Sequence, residues 1–292
     1  MLVTAFLLGL VYVILIAVLV AAGVGAVTVA VIACVLFLVQ YFTADKLALA
    51  SMGAREITPE QAGGDPVLKA LFATIERLCI QADLPMPRVA LADTAMPNAF
   101  AVGRSPSTAT VCVTTGLLAL LEPAELEGVL GHELTHVQNR DVMVMTIASF
   151  FASIAAFIVQ FGFFFGGGFN RNQQNNNNPS FAVVVVVAGV VYIVSFLLLQ
   201  ALSRYREFAA DRGSALITGR PSALSSALLK IAGRMDQIPQ RDMRAASSEL
   251  AAFYIFPPKA KASIASLFST HPPLEARLAA LAKLEAQLQG TD

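Results

Sequence analysis

The sequence predicts an α+β protein that is mainly helical, with four transmembrane helices and a polar domain that contains a small three-stranded sheet. Three observations support this fold class. Long apolar runs occur in four places, the polar segments carry apolar residues at helical spacing, and three short segments have the composition of strands. The 292 residues are 56% hydrophobic and 14% charged, with a mean hydropathy of +0.67. Soluble proteins average about 25% charged residues, so this chain is poor in charge for a soluble fold.

The apolar runs are long enough to cross a bilayer, whose core requires about 20 apolar residues per helix. Residues 1–44 contain no charged side chain and hold two such spans, with Gly23 and Gly25 at the turn between them. The third and fourth runs cover 142–165 and 181–199. A cleaved signal peptide is disfavoured at the N-terminus, because the run is too long and lacks a basic segment. A buried soluble hairpin is the alternative for the last two runs, and the sequence leaves open whether they cross fully or form a shallow hairpin.

This pattern divides the chain into four segments. They are an N-terminal transmembrane hairpin (1–43), a first polar segment with the predicted sheet (44–141), a second transmembrane hairpin (142–202) and a second polar segment (203–292). The second hairpin contains an Asn-rich, low-complexity loop at 169–180, whose composition cannot build a core.

Basic residues are distributed unevenly about the apolar runs. Seven lie between the second and third runs, twelve follow the fourth run, and only Arg171 lies in the Asn-rich loop. The positive-inside rule therefore places both polar segments in the cytoplasm. Cys34, Cys79 and Cys112 have no paired spacing, which agrees with a reducing compartment. Twenty basic and twenty acidic residues cancel, so no nucleic-acid partner is expected.

The polar segments contain both helices and short strands. A helix is expected over Pro66–Ala82, ended by the prolines that follow. The predicted three strands are Arg88–Ala92, Asn98–Val102 and Thr110–Thr114. A further helix opens at Glu122-Pro123, where a proline and acidic residues favour the first turn, and runs toward Asp141. The second polar segment is predicted to be mostly helical.

His132, Glu133 and His136 form an H-E-x-x-H motif in a chain that has only three histidines. Residues four apart on a helix share a face, so the two imidazoles can bind one Zn²⁺. Glu133, which lies between them, can take a proton from a metal-bound water. The alternative is a surface helix with a structural histidine pair. Catalytic zinc sites use three protein ligands, so the hypothesis requires one more.

The third ligand must come from elsewhere in the chain. A histidine six residues past the motif with a glycine midway is excluded, because Val142 and Asn139 occupy those positions. The fourth run returns to the face from which the third run started and delivers Glu207 there. Antiparallel helices pack about 8–10 Å apart, so this carboxylate can reach the metal. Asp211 lies one turn later and could accept a hydrogen bond from His132. The alternative for both acids is a solvated face paired with nearby arginines.

Four motifs occur in order along the chain. They are Pro97–Gly103, the H-E-x-x-H motif followed by Asn139-Arg140-Asp141, Arg204–Asp211, and Ser269–Arg277. Together they resemble the HtpX group of membrane-embedded zinc metallopeptidases, which are relatives of the CAAX prenyl endopeptidases. The resemblance covers nearly the whole chain apart from the Asn-rich loop. It implies one Zn²⁺ per chain, Glu207 as a ligand, and proteolysis of membrane proteins at the cytoplasmic face of a prokaryotic inner membrane.

Glu133 is the predicted general base, which takes the proton of the attacking water and passes it to the leaving amine. His271 is the remaining histidine and a candidate to stabilise the oxyanion or to approach the metal. A packing or capping role before Pro272 is its alternative. Arg277 could also stabilise the oxyanion, although a structural ion pair is favoured for it.

Asn98, Ala99, Phe100 and Ala101 are predicted to form an edge strand beside the cleft, where a substrate strand could pair through backbone hydrogen bonds. An ordinary interior strand is the alternative. Backbone pairing requires an extended, locally unfolded substrate, which suits the removal of misfolded or excess membrane proteins. Two other functions stay open: a processing peptidase for a defined substrate, such as a lipidated tail, and a non-catalytic membrane scaffold with a vestigial metal site.

Overall fold

The computed structural model describes residues 26–149, 181–235 and 272–290. Predictions for the first transmembrane run, most of the third run, the Asn-rich loop and His271 fall outside these ranges. The chain separates into two compact units. The first unit comprises Met1–Thr43 and Val144–Leu202, and the second comprises Ala44–Met143 and Ser203–Asp292.

Helices make up most of the described chain, which confirms the mainly helical part of the predicted fold class. In chain order they are α1 (Ala26–Ser51), α2 (Pro59–Ala62), α3 (Pro66–Ala82), α4 (Thr115–Leu120), α5 (Pro123–Gln138), α6 (141–149), α7 (Phe181–Thr218), α8 (Pro221–Met235) and α9 (Leu274–Gln289). Asp65 caps α3 by accepting a hydrogen bond from the Val67 N–H, and α3 ends at Asp83 in the left-handed conformation.

One helical stretch among the described residues, Val186–Thr218 within α7, is long and apolar enough to cross a membrane. This judgement rests on length and composition. Large apolar side chains are exposed along it at Val186, Val190 and Ile193. The number of spans, which the sequence predicts to be four, stays a prediction.

The sheet lies in the second unit and has four strands, so the prediction of three was wrong. Strands β1 (Arg55–Ile57), β2 (Arg88–Ala92), β3 (Ala99–Val102) and β4 (Thr110–Thr114) are arranged in the order β1-β2-β4-β3. β2 and β4 are parallel, and the other two pairs are antiparallel. β1 is only three residues long and buries Ile57 alone. Such a segment is too short to show the alternation typical of a strand, and its sequence indicates only a short amphipathic stretch.

The core of the second unit forms where α5 packs among the sheet, α3, α8 and α9. Its fully buried side chains come from all of these elements and include Leu71, Ile75, Val111, Leu130, Leu134, Leu228, Ile231 and Leu281. Within α5, every residue from Gly128 to Val137 is buried. The histidine motif therefore lies on a helix whose orientation is fixed by packing on several sides.

Small residues bring α5 and the C-terminal part of α7 into close contact. The Ser214 hydroxyl donates a hydrogen bond to the Gly128 carbonyl at 2.6 Å. A Cβ added at Gly131 would lie 3.1 Å from the Ser214 Oγ, and one added at Gly213 would overlap the Thr135 side chain. Thr135 is buried and its hydroxyl donates to the Gly131 carbonyl, so it cannot easily move. The spacing of these helices thus depends on the absence of side chains at the contact.

Replacing Gly213 with Ala is expected to force α5 and α7 apart. The overlap with Thr135 should lower the free energy of unfolding by about 1–3 kcal/mol, as overpacking of a core does. The thermal melting temperature of the purified protein in detergent measures this. Gly233→Ala is the matched control, because an added Cβ there meets no atom within 4 Å. This control should be neutral or stabilising by up to about 1 kcal/mol, since Ala favours helix more than Gly does. Equal melting temperatures for the two variants would contradict the account of the contact.

Candidate metal centre

Three donor side chains converge in the second unit. His132 and His136 lie one turn apart on α5, and their Nε2 atoms are 3.2 Å apart. Glu207, on α7, places Oε2 3.7 Å from the His132 Nε2 and Oε1 3.6 Å from the His136 Nε2. All three residues are buried, and their donor atoms lie within 4.8 Å of one another. Two imidazole nitrogens and a carboxylate oxygen at these separations can bind a single cation.

Asp211 and Arg277 support the His132 side of the site. The His132 Nδ1 lies 2.9 Å from the Asp211 Oδ1, so Nε2 faces the other donors. Arg277, on α9, donates from Nη2 and Nε to the two Asp211 carboxylate oxygens at 2.6 and 2.8 Å. Its Nη1 lies 3.5 Å from the Glu207 Oε2. Arg277 is fully buried in this bidentate ion pair, which agrees with the structural role favoured from the sequence.

Asp141 and Arg206 occupy the corresponding positions on the His136 side. The Asp141 Oδ2 lies 2.7 Å from the His136 Nδ1 and 3.3 Å from the Arg206 Nε. Sequence reasoning did not assign either residue to the site. The sequence does place Asp141 five residues after His136. On a continuous helix, however, residues five apart do not share a face, so this spacing predicts no contact between the two side chains. The chain instead turns sharply at Arg140, whose φ is 55°, and this turn brings Asp141 back.

The buried charges of the site fit a divalent cation. Glu133, Asp141, Glu207 and Asp211 are buried carboxylates, whereas Arg206 and Arg277 supply two positive charges. With neutral histidines the group carries two excess negative charges. Buried charge without compensation is costly, and a doubly charged cation between the donor atoms would balance it. The donor set and the charge therefore both match the metal expected here.

Glu133 contacts the sheet edge next to the donors. Its Oε2 accepts a hydrogen bond from the Ala101 N–H at 3.0 Å. Burial raises the pKa of Glu133, and the nearby Glu207 charge adds to this effect. A carboxyl with a raised pKa is suited to accept a proton near neutral pH.

β3 is an outer strand of the sheet in the part of the chain that the structure describes, and it pairs with β4 there. The Asn98 carbonyl accepts a hydrogen bond from the Thr114 N–H at 3.0 Å, which directs Asn98 toward β4. Hydrogen-bonded positions alternate along an antiparallel pair of strands. The backbone N–H and C=O groups of Phe100 and Val102 therefore point toward β4, and those of Ala99 and Ala101 point away from it. The Ala101 N–H that reaches Glu133 lies on this outward side.

Comparison with known proteins places the chain in a family. The profile of peptidase family M48 matches residues 68–285. The chain belongs to peptidase family M48. A protease HtpX homologue of Moorella thermoacetica is 51% identical over 99% of this chain and 94% of its own length. Protease HtpX homologue 2 of Methanosarcina acetivorans is 46% identical over 99% of this chain and 95% of its own length. Protease HtpX homologue 1 of Streptomyces coelicolor is 47% identical over 98% of this chain and 92% of its own length.

A crystal structure of S. mikatae Ste24p shares the fold. It aligns with a TM-score of 0.55 at 17% identity and covers 94% of this chain. This chain spans 62% of the length of Ste24p, so the likeness concerns the fold alone. Peptidases of family M48 depend on a metal, so membership of this family identifies the chain as a metalloprotease. The cluster of His132, His136 and Glu207 is the group of described residues that could hold the metal.

Metal binding to this M48 site is expected to strengthen with pH. Burial lowers the pKa of His132, but hydrogen bonds to Asp211 and Glu207 outweigh burial and raise this pKa to about 9 in the metal-free protein. The metal must therefore displace a proton at neutral pH, so its affinity should rise about tenfold per pH unit and level off above about pH 9. Competition with a chelator of known affinity at several pH values measures this.

Asp211→Asn provides the comparison for the pH series. This substitution removes the negative charge that stabilises protonated His132. The pH above which the metal affinity stops rising should therefore be lower than in the wild-type protein. A metal affinity that stays constant between about pH 6 and 8 in the wild-type protein would contradict the proton competition.

Proposed function

We propose that this protein is a membrane-bound, zinc-dependent endopeptidase that hydrolyses misfolded or excess membrane proteins at the cytoplasmic face. The observation that carries the proposal is the convergence of His132, His136 and Glu207 beside Glu133. Two imidazoles and one carboxylate form a ligand set of catalytic zinc sites, which leave a further position open for water.

Zinc is the metal that this donor set favours. His132, His136 and Glu207 would hold it through two nitrogens and one oxygen, and no cysteine joins this cluster among the residues that the structure describes. When bound, Zn²⁺ would lower the pKa of a coordinated water to about 7 and polarise the scissile carbonyl. Asp211 and Asp141 would hold the two histidines with Nε2 toward the metal.

Glu133 would act as the general base and acid. It lies between the two histidines in sequence and is held by the Ala101 N–H, so its position is fixed before substrate arrives. The raised pKa allows this carboxylate to take the proton of the attacking water and return it to the leaving amine.

The open edge of β3 would bind the substrate in an extended conformation. The backbone groups of Ala99 and the Ala101 carbonyl point away from β4 and could pair with a substrate strand, while the Ala101 N–H holds Glu133 beside it. Such pairing recognises the backbone of the substrate rather than particular side chains. It therefore favours locally unfolded segments of many proteins, which supports a role in quality control.

The apolar stretch of α7 supports a membrane location for the activity. Glu207 belongs to the same continuous helix as the exposed apolar residues of that stretch. It lies eight residues past Leu199, the end of the fourth apolar run. This short separation along the sequence supports a substrate that emerges from the bilayer on the side where the fourth run ends.

The Glu133→Gln variant tests the proposed mechanism. Gln keeps the size of the side chain but cannot take a proton, so cleavage of an unfolded membrane protein should fall by about 10²–10⁴-fold. Zinc content, measured on the same samples, should be unchanged because Glu133 is not a ligand. Glu207→Ala is the paired control and should lose zinc. Equal cleavage by wild type and Glu133→Gln would refute the mechanism, and cleavage of lipidated peptides alone would favour a processing peptidase.

A second experiment tests the substrate strand. A series of otherwise identical peptides would each carry one N-methylated amide near the scissile bond. N-methylation blocks a backbone donor, so cleavage should fall at every second residue, where the amide faces β3. The rate of cleavage of each peptide measures the pattern. Losses that do not alternate along the peptide would exclude strand pairing with β3.

A further inference from the structure

Each histidine of the candidate metal centre is backed by an aspartate, and each aspartate by an arginine. Arg277, Asp211 and His132 form one such chain, with all three side chains buried. The other chain consists of Arg206, Asp141 and His136. The first is built from α5, α7 and α9. The second joins the start of α6 to the residue that directly precedes Glu207 on α7.

A purely structural reason for the second chain is weak. Asp141 is 1% exposed, and its Oδ1 has no hydrogen-bond partner among the described residues. The Arg206 Nε, although 3.3 Å from the Asp141 Oδ2, also lacks a well-directed hydrogen bond there. A buried ion pair with incomplete hydrogen bonding contributes little to stability, because desolvation offsets its attraction. The short contact of Asp141 is the one with the His136 Nδ1, at 2.7 Å.

That contact determines which nitrogen of His136 faces the site. An Nδ1–H that donates to Asp141 leaves Nε2 unprotonated and directed toward Glu207 and His132. Arg206 places its positively charged guanidinium beside the buried Asp141 carboxylate, with Nε 3.3 Å from Oδ2. Because Arg206 and Glu207 are adjacent on α7, the same pair also fixes the distance between a histidine donor and the carboxylate donor.

We propose that Asp141 and Arg206 form a positioning pair that orients His136 and couples it to Glu207, and that this pair sets the affinity of the site for its metal. This proposal rests on the proposed function, since it assumes that His136 is a metal ligand.

The experiment is a double-mutant cycle on the affinity of the full-length protein for Zn²⁺ alone, measured by competition with a chelator. Asp141→Asn preserves shape and should weaken binding by about 10–100-fold. Arg206→Gln should weaken binding severalfold in the wild-type background but change it by less than about twofold when Asp141 is already Asn. Arg212→Gln, at an exposed position on the same helix, is the matched control and should bind as wild type does.

The melting temperature of each metal-free protein separates positioning from structural support. Unchanged melting temperatures together with weakened Zn²⁺ binding are the expected result. Wild-type affinity in Asp141→Asn, additive effects of the two substitutions, or weaker binding that follows a lower melting temperature would overturn the proposal. Failure of wild type itself to bind Zn²⁺ more tightly than a His136→Ala variant would instead overturn the proposed function. Absorption bands of the Co²⁺-substituted proteins should shift in Asp141→Asn and stay unchanged in Arg212→Gln.

Discussion

Buried charge around the H-E-x-x-H motif is the constraint on which the rest of this structure depends. Four carboxylates surround the two histidines, and when both histidines are neutral, as metal ligands must be, the two arginines beside them compensate only half of this charge. Each uncompensated charge costs several kcal/mol in a protein interior. A divalent cation bound to the donor atoms would balance that excess. Arg206 pairs with Asp141 and Arg277 pairs with Asp211. The carboxylates whose charge is left over are therefore Glu133 and Glu207, beside the histidine nitrogens.

This charge cluster can form only because separate parts of the chain approach closely. Glycines at 131 and 213 let α5 and α7 come together, and this contact brings Glu207 to the histidines. α9 then supplies Arg277, and the edge strand β3 supplies the Ala101 N–H that holds Glu133. Packing, charge compensation and the position of the general base are therefore linked. A change at the helix contact should affect metal binding without altering any ligand.

Much of the site could be predicted from sequence because its signals are local or topological. The histidine pair lies within five residues, and Glu207 was assigned from the predicted return of the fourth apolar run to the same face. Interactions that depend on tertiary geometry could not be predicted. Asp141 reaches His136 only through the left-handed turn at Arg140, and sequence spacing alone directs it elsewhere. The strand β1 was missed because three residues carry too little periodicity, and pairing with β2 rather than propensity makes it a strand.

X-ray absorption spectroscopy at the zinc edge of the purified protein tests the central claim most directly, because it reports the atoms bound to the metal. Coordination by His132, His136 and Glu207 predicts a shell of nitrogen and oxygen at about 2.0–2.2 Å, with scattering from two imidazole rings and no sulfur. A sulfur neighbour at about 2.3 Å would mean a cysteine ligand. A third imidazole ring would mean that His271 replaces Glu207. Either result would contradict the account.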